Sequence, residues 1–188
     1  MQKRKTTKEL IADSFIELSQ EKNINKITIK NIVDNCELTP TTFYNHFKDK
    51  YDLIVWIYSA AVEKIMNKID GENYFWKNTL SDGINFFLEN KNFLLNAITH
   101  TSGQNSFINN MTRVNLKIFL DSVKKNNNLA EIPKDIEVLS KIYVYGTVCM
   151  ICEWLIDKNS VGLEEFIKLL EDGLPEKLKK YLYKNFKT

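Results

Sequence analysis

Six of the eight residues from position 39 to position 46 carry side chains that donate or accept hydrogen bonds. They are Thr39, Thr41, Thr42, Tyr44, Asn45 and His46. A solvated surface helix more often carries Lys and Glu, which are better helix formers than Thr, Asn or His. This composition instead suits hydrogen bonding to the base edges and phosphates of a nucleic acid. The alternative is a small helical hairpin whose polar face happens to lack charge.

Two short predicted helices position this run of polar residues. Thr28 can cap a first helix that ends near Asn35, because its hydroxyl can accept a hydrogen bond from a backbone amide of the first turn. After a turn at residues 36–38, Thr39 can cap a second helix in the same way. Pro40 then occupies the first helical position, where its missing amide costs nothing.

The second of these helices is expected to bury one face and to present the other. Phe43 and Phe47 lie one turn apart, so both can face the core. The polar side chains then point outward or flank that face. Two short helices joined by three residues are typical of a helix-turn-helix, whose second helix enters the major groove of DNA.

The net charge is small and unevenly distributed along the chain. The 188 residues include 26 Lys and Arg against 24 Asp and Glu, a formal net charge of +2. Residues 1–50 hold nine basic and seven acidic residues, so the remaining 138 are neutral overall. A charge this small excludes binding of nucleic acid through bulk positive charge. Any contact with nucleic acid must therefore be local.

Lys48 and Lys50 flank the start of a long predicted helix that Asp49 caps and that runs to about Asp70. A cation is disfavoured at a helix N-terminus, and a phosphate bound there would relieve this conflict for Lys50. The basic residues near the start of the chain form either a second phosphate-binding arm or a solvated tail. They are Lys3, Arg4, Lys5 and Lys8.

Helical periodicity continues through the rest of the chain. Thr6 and Glu9 have the spacing of a capping box, ahead of a first helix whose apolar stripe is Ile11, Phe15 and Leu18. The further predicted helices are Tyr74–Glu89, Asn92–Thr101, Gln104–Asn126, Asp135–Asp157, Leu163–Asp172 and Pro175–Lys184. Alternating strand patterns are absent, and only six Gly and three Pro are present to form turns. The sequence therefore predicts an all-α fold.

The segments from Thr28 to Val33 and from Leu38 to Leu53 resemble the DNA-binding domain of the TetR family of bacterial regulators. The resemblance covers about residues 6–55. The positions that match the family pattern are Thr28, Tyr44, Phe47, Lys50 and Leu53. The family usually has Ala-Gly at the turn, where this chain has Cys36-Glu37, and often has Gly at the position of Thr41. Glu37 is therefore expected to strain the backbone of the turn.

The resemblance implies a homodimer with two domains in each subunit. A helix-turn-helix DNA-binding domain would span residues 1–49, and a larger helical domain for effector binding and dimerisation would span residues 50–188. By analogy Thr28, Tyr44 and Lys50 would hold phosphates, and Thr41, Thr42, Asn45 and His46 would approach bases, with Thr39, Pro40 and Lys48 beside them. The implied protein is a repressor that binds a palindromic operator in double-stranded DNA and responds to a small-molecule effector.

The last third of the chain also carries a resemblance. Residues 145–155, followed by Leu163 to Phe166, are similar to the C-terminal domain of a Firmicutes-type branch that includes regulators of dihydroxyacetone kinase operons. The family implies an apolar effector pocket in this domain, although most of its many aromatic residues are expected to be plain core. The candidate effector-binding residues are Trp76, Phe87, His100, Phe119 and Tyr143. A structural histidine is the alternative for His100.

The predicted helix Asp135–Asp157 is apolar on most of its circumference, so it must be buried on two sides. In a domain this small, burial on two sides calls for a second subunit, and Leu163–Asp172 could complete a four-helix interface. Gly146 would allow close helix approach. The alternative is a central core helix of a monomer. Cys149 and Cys152, in the middle of this helix, are predicted to be packing residues and not a redox pair.

Other classes of protein lack their sequence motifs. With only two histidines, neither a His-x-x-x-His pair nor a three-histidine zinc site can form, and no glycine-rich phosphate loop or Gly-x-Ser-x-Gly elbow is present. No enzymatic activity, cofactor or metal is predicted. Without a signal peptide or a long apolar run, a cytoplasmic protein with no membrane partner is expected. The remaining alternative is a regulator or activator whose second domain binds a protein partner and no small molecule.

Overall fold

The computed structural model describes residues 4–70, 76–103, 106–157 and 161–183, and within these ranges the secondary structure is helical. The ten α-helices within these described ranges are α1 (Thr7–Glu21), α2 (Ile29–Asn35), α3 (Pro40–Tyr44), α4 (Lys50–Met66), α5 (Trp76–Glu89), α6 (Lys91–His100), α7 (Phe107–Asn126), α8 (Lys134–Ile156), α9 (Leu163–Asp172) and α10 (Glu176–Leu182). Among the described residues, 3₁₀ turns are formed by Ile24–Lys26 and Asn67–Asp70. The predicted all-α class is confirmed.

Most predicted helix ends agree with the structure to within a few residues. The exception is the long helix after Asp49, which keeps α geometry only to Met66 and then tightens into the 3₁₀ turn Asn67–Asp70. Asn67 is a poor helix former, because its amide competes with the backbone for hydrogen bonds. Three predicted ends lie outside the described residues, at Tyr74, Gln104 and Lys184.

Side-chain caps fix where the first helices begin, as the sequence predicts. Each cap oxygen accepts a hydrogen bond from a backbone amide in the first turn of its helix. The distances from amide nitrogen to cap oxygen are 3.3 Å for Glu9 to Thr6, 3.1 Å for Asn31 to Thr28, 3.1 Å for Thr42 to Thr39 and 2.9 Å for Asp52 to Asp49. Short helices such as α2 and α3 depend on such caps because propagation adds few hydrogen bonds.

The chain forms two compact units. The first unit comprises Met1–Tyr58 and Asn90–Phe107, so α6 joins α1, α2, α3 and the start of α4. The rings of Phe15 on α1 and Phe93 on α6 meet edge to face with their centroids 6.0 Å apart, and both side chains are fully buried. The functional boundary after residue 49 stays a prediction, but the packed core that contains the helix-turn-helix also includes α6.

The second unit comprises Ser59–Glu89 and Ile108–Thr188. A buried hydrogen-bond chain links three of its helices. The indole Nε1–H of Trp76 on α5 donates to the Tyr143 hydroxyl on α8 at 2.9 Å, and that hydroxyl donates to the carbonyl of Leu170 on α9 at 2.8 Å. Burial raises the pKa of Tyr143 to about 12, so this hydroxyl keeps the proton that it donates.

Helix α8 is apolar on two opposite faces. One face is buried in the second unit, while the opposite face exposes a set of large apolar side chains. Their exposed fractions are 45% for Val138, 65% for Ile142, 46% for Tyr145, 47% for Met150 and 56% for Ile156. Among the described helices, α8 alone is long and apolar enough to cross a membrane. This criterion is weak evidence for a membrane span, because core helices of soluble proteins also meet it.

The Trp76–Tyr143–Leu170 chain generates a stability prediction. Tyr143→Phe should lower the free energy of unfolding by about 2 kcal/mol, because the buried Trp76 N–H and the Leu170 carbonyl both lose their partner. Urea denaturation followed by circular dichroism measures this change. Tyr44→Phe removes the same atom from a side chain that is 59% exposed and should change stability by less than about 0.5 kcal/mol. Equal effects of the two substitutions would contradict the prediction.

Candidate nucleic-acid interface

The turn between α2 and α3 is tight and locally strained. The amide of Leu38 donates to the carbonyl of Val33 at 2.9 Å, which closes the turn at the end of α2. Glu37 adopts φ +55°, in the left-handed region that disfavours residues with a Cβ. The strain expected where the family usually has glycine is therefore confirmed.

Helix α3 buries its aromatic side and exposes its polar side. Phe43 is fully buried, Phe47 is 3% exposed, and their ring centroids lie 5.7 Å apart. Tyr44, by contrast, is 59% exposed. The other exposed side chains of this segment are those of Thr39, Pro40, Thr41, Asn45 and His46, and Thr42 is half-buried. The predicted inward orientation of the two phenylalanines is confirmed, while contact of the polar side with DNA stays a prediction.

The hydroxyls of the two capping threonines already have partners within the protein. Thr28 Oγ1 donates to the side-chain oxygen of Asn31 at 2.9 Å, and Thr39 Oγ1 lies 2.9 Å from Thr42 Oγ1. Both threonines are exposed, so each could also contact a phosphate. Lys48 is exposed as well, and its backbone amide donates to Asp52 Oδ2 at 3.0 Å. This bond fixes the backbone of Lys48 beside the start of α4.

Lys50 has a structural role that its sequence position did not indicate. Its ammonium donates to the carbonyls of Ile24, Asn25 and Ile27 at 2.8, 3.0 and 2.9 Å. These three bonds use all three N–H donors of the group. Burial lowers the pKa of Lys50 from its ordinary value. Carbonyl oxygens of the protein itself therefore offset the unfavourable position of this cation at the N-terminus of α4. The phosphate role of Lys50 stays a prediction.

Two of the basic residues near the start of the chain lie against the protein. The Lys5 ammonium pairs with Asp13 at 2.6 Å, and this hydrogen bond raises the pKa of Lys5. The Lys8 ammonium lies 5.4 Å from the ring centroid of Phe47 and 5.6 Å from that of Trp56, within cation–π range. Neither residue behaves as part of a free arm in this arrangement. Lys3, also assigned to the predicted arm, lies outside the described residues.

Four of the five predicted effector-binding residues are buried in the second unit, and the fifth lies in the first unit. Trp76, Phe119 and Tyr143 come together, since the Trp76 ring centroid lies 5.3 Å from that of Phe119 and 6.1 Å from that of Tyr143. All three are buried, as is Phe87 on α5. His100 lies at the end of α6 in the first unit. The aromatic group of the second unit therefore forms packed core around a hydrogen-bond chain.

A cavity of about 450 Å³ lies elsewhere in the second unit, between the end of α4 and α7. Its lining is mixed: Glu63, Lys117 and Asp121 supply charge, and Met66 and Ile118 supply apolar surface. None of the five predicted effector-binding residues lines it. Sequence patterns could not indicate this cavity, because its two walls are distant in sequence and its residues are ordinary surface residues of amphipathic helices.

Residues 74–175 match the family model described as "Transcriptional regulator C-terminal region", TetR_C_8. This match covers more than half of the chain, and the chain therefore belongs to the TetR family of transcriptional regulators. The predicted family membership is confirmed.

Two curated relatives match shorter stretches. The chain is 29% identical over 94 residues, half of its length, to the HTH-type dhaKLM operon transcriptional activator DhaS of Lactococcus lactis subsp. lactis (strain IL1403). It is 34% identical over 53 residues, 28% of its length, to an uncharacterized HTH-type transcriptional regulator of Haemophilus influenzae (strain ATCC 51907 / DSM 11121 / KW20 / Rd). The matches span 49% and 26% of these relatives.

Solved structures show the same fold. The dihydroxyacetone kinase operon activator DhaS superposes with a TM-score of 0.63 and 21% identity, covering 93% of this chain and 97% of that one. A TetR transcriptional regulator from Streptococcus agalactiae 2603V superposes with a TM-score of 0.61 and 17% identity, covering 90% and 94%. Similarity to the branch that includes dihydroxyacetone kinase operon regulators agrees with the resemblance of residues 145–166.

The strain at the turn predicts a stabilising substitution. Glu37→Gly should raise the free energy of unfolding by about 0.5–1 kcal/mol, because relief of the left-handed backbone exceeds the extra entropy of glycine in the unfolded chain. Urea denaturation measures the change. Glu37→Ala retains a Cβ at φ +55° and serves as the control, which should show no gain. A gain with alanine equal to that with glycine would assign the effect to loss of the carboxylate instead.

Proposed function

We propose that this TetR-family regulator binds a palindromic operator in double-stranded DNA as a homodimer. The observation that carries the proposal is α3, a capped five-residue helix that buries Phe43 and exposes a row of uncharged hydrogen-bonding side chains. Direct readout of bases requires such side chains on the face that enters the major groove. In the proposed complex Thr41, Thr42, Asn45 and His46 approach base edges, while Thr28, Tyr44 and Lys48 contact phosphates.

The exposed face of α8 supports the homodimer. Val138, Ile142, Tyr145 and Ile156 follow one another at helical spacing, and Leu169 on α9 is also 52% exposed. A Cβ added to Gly146 would meet no atom within 4 Å, so a second helix can approach closely there. Contiguous exposed apolar surface of this kind marks an interaction site. A second copy of the chain is the proposed partner, through about Asp135–Asp157 and Leu163–Asp172, and a two-fold dimer requires a palindromic operator.

A small-molecule effector completes the proposed mechanism. Its binding in the second unit would change the separation of the two recognition helices and so the affinity for DNA. The second candidate, a protein partner in place of a small molecule, fits this cavity of mixed lining less well, because a cavity of about 450 Å³ matches the size of small-molecule sites. Thermal-shift screening of metabolites distinguishes the two, since a ligand at 100 times its Kd adds about 2.7 kcal/mol of stability.

The sign of regulation depends on where the operator lies relative to the promoter. The family resemblance predicts repression, whereas the relative that is 29% identical over half of this chain is named an activator. A reporter gene under the selected operator, with and without the regulator, measures the sign directly. Binding to chromosomal DNA also supports the expected cytoplasmic location, and no catalytic step is part of the proposal.

Selection from a pool of random DNA duplexes tests DNA binding without knowledge of the operator. The proposal expects enrichment of an imperfect palindrome whose half-sites lie one helical turn or more apart. Recovery of single half-sites would support DNA recognition and contradict the dimer. No enrichment above a pool without protein would overturn the proposed function.

Lys48→Ala tests the phosphate contact on the selected operator. Loss of one contact from each subunit should weaken binding and flatten the log–log salt dependence of the association constant by about 1.8, from about 0.9 per phosphate. Fluorescence anisotropy over a range of salt concentrations gives this slope. Lys77→Ala on α5 removes an exposed lysine from the second unit and should leave the slope unchanged. An unchanged slope for Lys48→Ala would remove this residue from the interface.

Ile142→Asp tests the dimer interface. Burial of the new carboxylate against an apolar partner surface is unfavourable by several kcal/mol, so the variant should sediment as a monomer at micromolar concentration. It should also lose most of its affinity for the full palindrome, because two half-sites are no longer bound together. Leu88→Asp introduces the same charge at another exposed apolar position of the second unit and should remain a dimer. A dimeric Ile142→Asp would contradict the proposed interface.

A further inference from the structure

The 3₁₀ turn Ile24–Lys26, between α1 and α2, is held by two side chains that are distant in sequence. The amide of Ile24 donates to Asn96 Oδ1 at 2.9 Å, and the carbonyl of the same residue accepts from Lys50 Nζ at 2.8 Å. Both polar groups of the Ile24 backbone are therefore bound by side chains, one from α6 and one from the first residue of α4. Ile24 itself is fully buried.

The carboxamide of Asn96 makes two more bonds to the end of α1. Its Nδ2 donates to the carbonyl of Ser19 at 3.1 Å and to the carbonyl of Lys22 at 2.8 Å. Carbonyls of the last turn of a helix have no partner within the helix and must be paired by other groups. Asn96 thus satisfies the end of α1 and the following turn at the same time.

The three partners of Asn96 specify its chemical type. One acceptor and two donors are needed in a single planar group, and among short side chains only the carboxamide of asparagine supplies both. Aspartate keeps the acceptor for the Ile24 amide but has no donor for the two carbonyls when ionised. Alanine has neither and leaves all three backbone groups without this partner.

The turn controls the position of the helix-turn-helix. One residue beyond the turn, Ile27 is also bound through its carbonyl by Lys50, and Thr28 then caps α2. Lys50 begins α4, the helix that follows α3. A displacement of the turn therefore changes where α2 starts and how α3 is held between α2 and α4. Asn96 acts on this turn from α6, whose chain continues at both ends into helices of the second unit.

We propose that Asn96 is a positioning residue for DNA binding, through which α6 sets the placement of the helix-turn-helix. This inference rests on the proposed function, since it assigns a cause of DNA affinity to a residue that contacts no DNA. Its carboxamide holds the Ile24 turn from one side while Lys50 holds it from the other. A shift of α6 reaches the recognition helix through these three hydrogen bonds.

The experiment compares wild-type protein with Asn96→Ala, Asn96→Asp and the control Asn92→Ala on the palindrome recovered by selection. Asn92 is exposed on the same helix. Affinity is measured by anisotropy at 10 °C, below the unfolding midpoint of each variant, together with the salt slope and the thermal midpoint. Asn96→Ala should weaken binding about tenfold, within the range for substitutions that act without touching the ligand. Its salt slope should match the wild type, because no phosphate contact is lost.

Asn96→Asp should weaken binding at least as much as alanine, because one oxygen of its ionised carboxylate faces the carbonyls of Ser19 and Lys22 and cannot donate to them. It also carries the test if the alanine variant does not fold. A lower thermal midpoint with unchanged affinity at 10 °C would show a merely structural role and overturn the inference. An equal loss with Asn92→Ala would also overturn it. Failure of the proposed function is distinguishable, since wild-type protein would then bind no selected duplex at all.

Discussion

Backbone polar groups between the end of α1 and the start of α2 must find partners, and this constraint organises the DNA-reading unit. The chain leaves helix geometry after Glu21 and forms only the short turn Ile24–Lys26 before Thr28. Within the turn the Ile27 amide donates to the Ile24 carbonyl at 3.2 Å, but such a short turn leaves other backbone groups to be paired from outside. Lys50 and Asn96 supply these partners, with five hydrogen bonds to carbonyls and one from the Ile24 amide. Two later segments of the chain are thereby bound to the same short stretch of backbone, and α6 belongs to the first unit.

In α3, the proposed recognition helix, the residues that stabilise the helix differ from those proposed to contact DNA. A five-residue helix that consists of one Pro, two Thr, one Phe and one Tyr has little intrinsic stability. Its stability comes from the Thr39 cap and from burial of Phe43, with Phe47 just beyond its end. The outward side chains are then free of any packing requirement. That freedom allows poor helix formers on the exposed face, where they can serve recognition. The left-handed Glu37 shows that the tight turn is kept despite its backbone cost.

The second unit contains a long helix, α8, that has two apolar faces. On the inner face of α8, Tyr143 connects Trp76 to the Leu170 carbonyl, so a polar chain holds α5, α8 and α9 in one arrangement. On the outer face, Ile142 and Tyr145 have no such partners among the described residues. The inner face is specified by hydrogen bonds, and the outer face offers apolar area to another molecule. One helix can thus serve both as core and as the proposed dimer surface.

The sequence by itself determined the elements and their local chemistry. Caps at Thr6, Thr28, Thr39 and Asp49, the buried pair Phe43 and Phe47, and the outward polar side of α3 all follow from interactions within four residues. Such interactions depend on helix periodicity, which can be read from spacing alone. For the same reason the helix-turn-helix and its family were evident from residues 28–53.

Tertiary structure decided which distant groups meet. Periodicity marks Lys50 as an exposed start of a helix and Asn96 as an ordinary polar residue. In the structure both bind the backbone of Ile24, Lys50 at its carbonyl and Asn96 at its amide, 26 and 72 residues away in sequence. Periodicity also marks Trp76, Phe119 and Tyr143 as apolar without telling which side chains they meet, and only the structure shows that their rings contact one another. Spacing specifies the face of a helix on which a residue lies. What that face meets depends on how helices pack, a property of the whole chain.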